Sequence, residues 1–311
     1  MSARIIVLAT GGTISCTTDR NGHLLPTLTG EQVVRPVADR FAPGAMSVEV
    51  RDIAHIDSAS VRLSEIDAVV AACHEALADP EVAGVVVLHG TDSMEETAMA
   101  VDIFHGDPRP VIFTGAQLPS DHPEADGPGN LFEALVVASD ASARNIGVLV
   151  VFGHAVLPVR GVTKWHTSDM LAFATNAPEE PTRPDPLPLT ALDGVRVDVI
   201  PAYAGADSSL LDASINSGAH GLIIQGLGSG NVGTELAAAI SSALEKGVQV
   251  VMTTRVPRGD VQGTYGGAGG GATLAARGVV GSGYLRAPQA RIVLAAAIAS
   301  GAHPQTLFDA N

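Results

Sequence analysis

The chain predicts an α/β fold: a doubly wound, mostly parallel sheet in a larger N-terminal domain, followed by a smaller C-terminal α/β domain. Three observations carry this expectation. Apolar runs of strand length alternate with segments of helical periodicity, the pattern of a parallel sheet whose crossovers are helices. Only 4% of residues are aromatic while 34 are glycine, which suits an interior of small side chains and tight turns. A proline-rich stretch then divides the sequence in two.

The elements follow in order. Residues 4–9, Arg-Ile-Ile-Val-Leu-Ala, form the first predicted strand, and further strands fall at 46–53, 84–89, 110–114 and 147–152. Helices are predicted over 64–78, 93–104 and 130–141. In a doubly wound sheet ligands bind outside the carboxyl ends of the strands, so the residues after Ala9 and after His89 should face one crevice. Residues 179–194 are too rich in proline for a helix or a central strand and read as an extended linker between a domain over 1–178 and a second over 195–311. Beyond it, strands at 196–200, 221–224 and 248–253 alternate with helices at 209–217, 234–246 and 288–299.

Composition narrows the function. With 46% hydrophobic residues the chain builds a real core, and a formal charge of −15 argues against nucleic acid or an anionic membrane as partner, since both draw on clustered cations. A small ligand is expected. Cys16 and Cys73 are too few for a disulfide framework and read as free thiols. The chain enters its first strand without a signal-peptide pattern, and no apolar run approaches the ~20 residues of a spanning helix. The expected location is the cytoplasm.

Three runs carry the chemistry: Ala9-Thr10-Gly11-Gly12-Thr13, His89-Gly90-Thr91-Asp92-Ser93-Met94-Glu95-Glu96-Thr97 and Gly161-Val162-Thr163-Lys164. A hydroxyl is a weak nucleophile and needs a partner to take its proton. Lys164 is one of only two lysines, the other cations being arginines, and arginine cannot act as a base whereas a desolvated lysine can. Gly11-Gly12 lets the backbone approach a ligand beside Thr13 and offer N–H groups to a developing oxyanion. Taken alone, the same residues fit a turn whose hydroxyl bonds its own backbone. Asp92-x-x-Glu95 likewise has the spacing of a helix capping box, a role compatible with orienting a ligand ammonium. Lys164 by itself fits a solvated loop; Thr13, Thr91, Asp92 and Lys164 together have the logic of a nucleophile, base and orienter.

Two further motifs are set aside. Gly228-Ser229-Gly230-Asn231-Val232-Gly233 matches a dinucleotide fingerprint, but the next strand ends Thr253-Thr254-Arg255 with no acid for a ribose. The glycines of 266–271 lack the Lys-Ser/Thr ending of a phosphate loop, and the histidines show no metal-ligand spacing.

Together the runs resemble the L-asparaginase and glutaminase-asparaginase family of bacterial type. The likeness includes Thr114-Gly115-Ala116, Ala125-Asp126-Gly127-Pro128-Gly129-Asn130 and Gly228-Ser229-Gly230-Asn231 and spans most of the chain. It implies hydrolysis of a side-chain amide, L-asparagine first, through an acyl-enzyme on Thr13, with no cofactor and no metal. Thr91, Asp92 and Lys164 match the second threonine, the aspartate and the lysine of that family. Gly12, Ser58, Gly90, Thr91, Asp92, Ala116 and Asn231 match its substrate-binding positions. By the same resemblance Ser58 would hold the α-carboxylate, and Asn231 would come from a neighbour in a homotetramer of intimate dimers. The chain departs from the family pattern in three places. The loop over 15–29 has no tyrosine, Ala59 stands where many members carry glutamine, and 266–271 lacks the acidic residue that some members supply.

Overall fold

A computed structural model of the chain describes residues 2–179 and 181–308. Two compact units divide at Thr175 and Asn176. Glu180 of the predicted linker, Met1 and residues 309–311 lie outside the described residues.

In the first unit, β1 (Ala3–Gly11) leads into one turn of 3-10 helix (Thr13–Ser15) and a hairpin of β2 (Cys16–Thr18) and β3 (Leu24–Pro26). Then come α1 (Gly30–Ala38), β4 (Met46–Ile56), α2 (Leu63–Leu77), β5 (Val82–Leu88), α3 (Met94–Phe104), β6 (Val111–Thr114) and α4 (Gly127–Ser139). The unit closes with β7 (Val148–Phe152), β8 (Ala155–Pro158), β9 (Val162–Lys164) and β10 (Phe173–Thr175). Its main sheet has six strands in the order β4-β1-β5-β6-β7-β8. The first five run parallel and the edge strand β8 is antiparallel.

Ile5, Ile6, Val7 and Leu8 of β1 are fully buried, as are Val85, Val86 and Val87 of β5, which explains why these strands read as unbroken apolar runs. The chain leaves β1 toward β4 on one side and returns to β5 on the other. The strand order therefore reverses at β1 and β5, the place where such sheets hold their ligands. Thr10 Oγ1 donates to Leu88 O at 2.9 Å and ties the two strand ends together there.

Asn130, buried near the start of α4, couples three elements. Its Nδ2 donates to Gly115 O after β6, and its Oδ1 accepts from Gly153 N after β7, both at 3.0 Å. Asp126 accepts from the backbone N–H groups of Gln117 and Leu118. The Asp-Gly-Pro-Gly-Asn stretch thus locks a loop to a helix start.

In the second unit, residues 181–192 have neither helix nor strand. β11 (Val197–Pro201), α5 (Ser209–Asn216), β12 (Gly221–Gly226), α6 (Thr234–Glu245), β13 (Gln249–Thr254), α7 (Gly271–Ala275), β14 (Val280–Gly281), α8 (Ala287–Ser300) and α9 (Gln305–Phe308) follow. The four strands form one parallel sheet in chain order. Leu222, Ile224, Leu236, Ile240 and Val250 build its core. The mostly parallel α/β architecture expected from the sequence is present in both units.

The differences are local. α1 begins with a capping box between Thr29 and Gln32 that fixes its start, although Pro36 sits inside the helix. The short strands β2, β3, β9 and β10 belong to small two-stranded sheets with partly exposed residues, and their apolar pattern is too weak to read. The capping box expected at Asp92 and Glu95 does not form. α3 starts at Met94 after Ser93, with no side-chain cap, because the Asp92 carboxylate turns to the Lys164 ammonium and Glu95 reaches the Lys164 backbone.

Candidate active site

The carboxyl end of β1 breaks through two glycines in the positive-φ region, Gly11 at 105° and Gly12 at 85°. A Cβ on Gly12 would stand 2.6 Å from the backbone N and Cα of Gly90, so the turn bearing Thr13 seats directly on the loop that follows β5. Thr13 opens the 3-10 turn, with Ile14 buried beneath it. Gly12, Thr13, Cys16, Leu24, Pro26, Ile56, Asp57, Ser58, Thr91 and Asp92 line one cavity of about 390 Å³. Three of these, Cys16, Leu24 and Pro26, come from the β2–β3 hairpin.

Ser58 is buried and braces the opposite wall. Its Oγ accepts from Asp92 N at 3.4 Å, and its carbonyl accepts from Ser93 Oγ at 2.6 Å. Lys164 reaches this loop from β9. Its Nζ donates to Thr91 Oγ1 and to Asp92 Oδ1, at 2.7 Å in both cases. The Lys164 side chain is 21% exposed and that of Asp92 55%. The amine is therefore shielded while the carboxylate keeps a wet face.

Glu95, one helical turn beyond Thr91, is buried and lies behind Lys164. Its Oε2 accepts from Lys164 N at 2.6 Å, and the Thr163 side chain also bonds its carboxylate. Burial pushes its carboxyl up to about 7 despite these bonds. Burial, helped by the charge of Asp57, raises the Cys16 thiol, and burial lowers the imidazole of His89.

Of the residues read from the sequence, Gly12, Thr13, Ser58, Thr91 and Asp92 share the cavity, Gly90 packs against Gly12, and Lys164 bonds the Thr91–Asp92 pair. Ala116 does not line the cavity; its methyl is buried in the core cluster with Ile14 and Leu131. Asn231 lies in the second unit, where its Oδ1 accepts from Gly271 N at 3.1 Å. Sequence reasoning missed Cys16, Leu24, Pro26, Ile56 and Asp57 as wall residues and Glu95 as a partner of β9. The signal for Glu95 was present. It sits among Met94, Thr97, Ala98 and Met99, and a carboxylate on so apolar a helix face needs a partner. Among the described residues no cluster of three His, Cys, Asp or Glu has the geometry to hold a metal ion. None of their helices is long and apolar enough to cross a membrane.

Residues 4–182 match the family model for the asparaginase N-terminal domain, and residues 196–309 match that for the glutaminase/asparaginase C-terminal domain. A probable L-asparaginase of Deinococcus radiodurans is 33% identical over 96% of this chain and 94% of its own length. An L-asparaginase of Bacillus licheniformis is 27% identical, covering 96% and 97% respectively. The fold is shared with the crystal structure of a probable cytoplasmic L-asparaginase from Campylobacter jejuni, with a TM-score of 0.86, 24% identity and 99% of both chains covered.

Proposed function

Because this chain belongs to the asparaginase family, we propose that it hydrolyses L-asparagine to L-aspartate and ammonia through an acyl-enzyme on Thr13. One observation carries the reading: Lys164 Nζ stands 2.7 Å from both Thr91 Oγ1 and Asp92 Oδ1 at a cavity that also exposes Thr13. Thr13 Oγ attacks the amide carbon, its proton leaves with the amide nitrogen as ammonia, and an ester to the enzyme remains. Water then attacks the ester. Thr91 takes a proton from that water as it passes its own to the neutral Lys164 amine, and the proton is returned to the departing Thr13 oxygen as the acid is released, which restores the Thr13 hydroxyl and the amine.

Backbone N–H groups of the Gly12–Thr13 turn face the oxygen that becomes negative. Ser58 takes the α-carboxylate and the wet face of Asp92 takes the α-ammonium. Gly12 and, packed against it, Gly90 complete the binding set, while Ala116 stays in the core beside Ile14. Asn231 enters from a neighbouring subunit, and the working form is the homotetramer of intimate dimers that the family likeness implies. A cytoplasmic location belongs to the same proposal and agrees with the free thiols of Cys16 and Cys73.

The test is ammonia release from L-asparagine and L-glutamine by the wild type beside Thr13→Ala. Turnover that collapses in the variant supports the reading, and the ratio of the two amides sets the preference. A second reading rests on the apolar wall of Leu24, Pro26 and Ile56 together with Ala59, which favours glutamine or a bulkier, substituted amide. Faster turnover of such amides would establish it. Binding of asparagine or aspartate without any turnover would make the protein an amino-acid-binding module instead.

A further inference from the structure

We propose that Glu95 is a positioning residue that holds the Lys164 amine against Thr91 and Asp92 by clasping the backbone of β9. The inference rests on the amidohydrolase reading and names a residue outside the set that touches substrate. β9 is only three residues long and pairs antiparallel with β10 in a two-stranded sheet separate from the six-stranded one. The main sheet's hydrogen-bond ladder therefore does not fix where Lys164 stands relative to α3. The clasp does so at two successive residues, through the Thr163 side chain and the Lys164 N–H.

Because Thr91, Asp92 and Glu95 lie within five residues of one another, the same helix start that presents Thr91 and Asp92 also grips the strand that carries their partner. The carboxylate accepts from donors it meets in a buried setting, where an ionised acceptor binds more strongly than a neutral amide. The charged groups acting on Glu95 are Glu96 on its own helix and Lys164 across from it on β9. With burial holding its carboxyl near 7, the strength of the clasp changes within the neutral range.

The experiment compares wild type, Glu95→Ala and Glu95→Gln for ammonia release from L-asparagine between pH 5.5 and 9. Alongside, the side-chain ammonium signals of 15N-lysine-labelled protein are recorded. The chain has only two lysines, so the exposed Lys246 is assigned with Lys246→Arg and the remaining signal is Lys164. Glu95→Ala should lower kcat at least 30-fold with KM within threefold. Its Lys164 signal should lose the shift of a hydrogen-bonded ammonium and approach that of Lys246. Glu95→Gln should restore kcat to within threefold of wild type at pH 5.5 and fall progressively behind as pH passes 7. If Glu95→Ala keeps kcat within threefold and leaves the Lys164 signal unmoved, or if the ratio of wild type to Glu95→Gln is flat across the range, the proposal is overturned. If the wild type itself releases no ammonia, it is the amidohydrolase reading that fails. The lysine signals then decide the positioning role by themselves.

Discussion

Replacing Lys164 by methionine separates chemistry from scaffolding. Lys164→Met keeps the length and most of the volume of the side chain but deletes the amine, and with it the contacts to Thr91 Oγ1 and Asp92 Oδ1. The stability cost should be small. Asp92 is more than half exposed, and ion pairs with a solvated partner contribute about 0–1 kcal/mol. The backbone N–H that Glu95 holds is untouched by the substitution. A loss of that size lowers Tm by roughly 2–4 °C or less. The rate cost should be large, because removing a positioned proton acceptor costs about 10²- to 10⁴-fold. Steady-state ammonia release from L-asparagine and urea unfolding of the same preparations give both numbers. A kcat within tenfold of wild type would refute the assignment of Lys164 to proton transfer. A loss of more than about 3 kcal/mol in stability would show that the amine is a structural anchor whose removal damages the site indirectly.

Other outcomes follow from the same geometry. Gly12→Ala places a Cβ against the Gly90 backbone at positive φ and should cost about 1–3 kcal/mol from the backbone conformation, with a further cost from the overlap, read by urea midpoint. It should also depress kcat by displacing Thr13. Glu95 is held at about 7, above its ordinary 4.5, so ionising it opposes folding. Its contribution to stability should therefore fall by about 3 kcal/mol as pH rises from 4.5 to 7 and then level off, read as the difference between wild type and Glu95→Gln in unfolding titrations. Asp102→Ala leaves Arg160 buried with one fewer opposing charge and should cost about 3–5 kcal/mol in denaturant unfolding. Burial raises both thiols, that of Cys73 to about 12. Iodoacetamide at pH 8 should therefore modify folded Cys16 slowly and Cys73 not at all by mass spectrometry, and substrate in the cavity should protect Cys16.

The parallel sheet was legible because burial on both faces writes itself as unbroken apolar runs at 5–8 and 85–88. The loops after those strands were legible because glycine, threonine and aspartate clustered where such folds bind ligands. β9 was not, since a three-residue strand paired only with another short one leaves no periodicity, and Lys164 therefore read as part of a polar loop. Glu95 was misread for a physical reason. Its spacing from Asp92 satisfies a capping box, but an ammonium 2.7 Å from Asp92 and an N–H 2.6 Å from Glu95 outbid the helix terminus for both carboxylates. Cys16, Leu24 and Pro26 entered the cavity through a hairpin whose own sequence carries no sign of what lies beneath it. α1 was missed although Thr29 and Gln32 have capping-box spacing, because Pro36 inside the helix reads as a break.

The β2–β3 hairpin pairs only with itself, and beyond the chain on either side of it is fastened mainly where Thr18 and Cys16 meet Asp121 and Ser120. The floor beneath, where Gly12 rests on Gly90, leaves no room for even a methyl group. The two parts of the cavity thus have opposite tolerance to change. Substitutions at the exposed apolar residues of the hairpin, such as Leu24, should therefore change which amide the cavity admits at far less cost to the reacting groups than any change at Gly12 or Gly90.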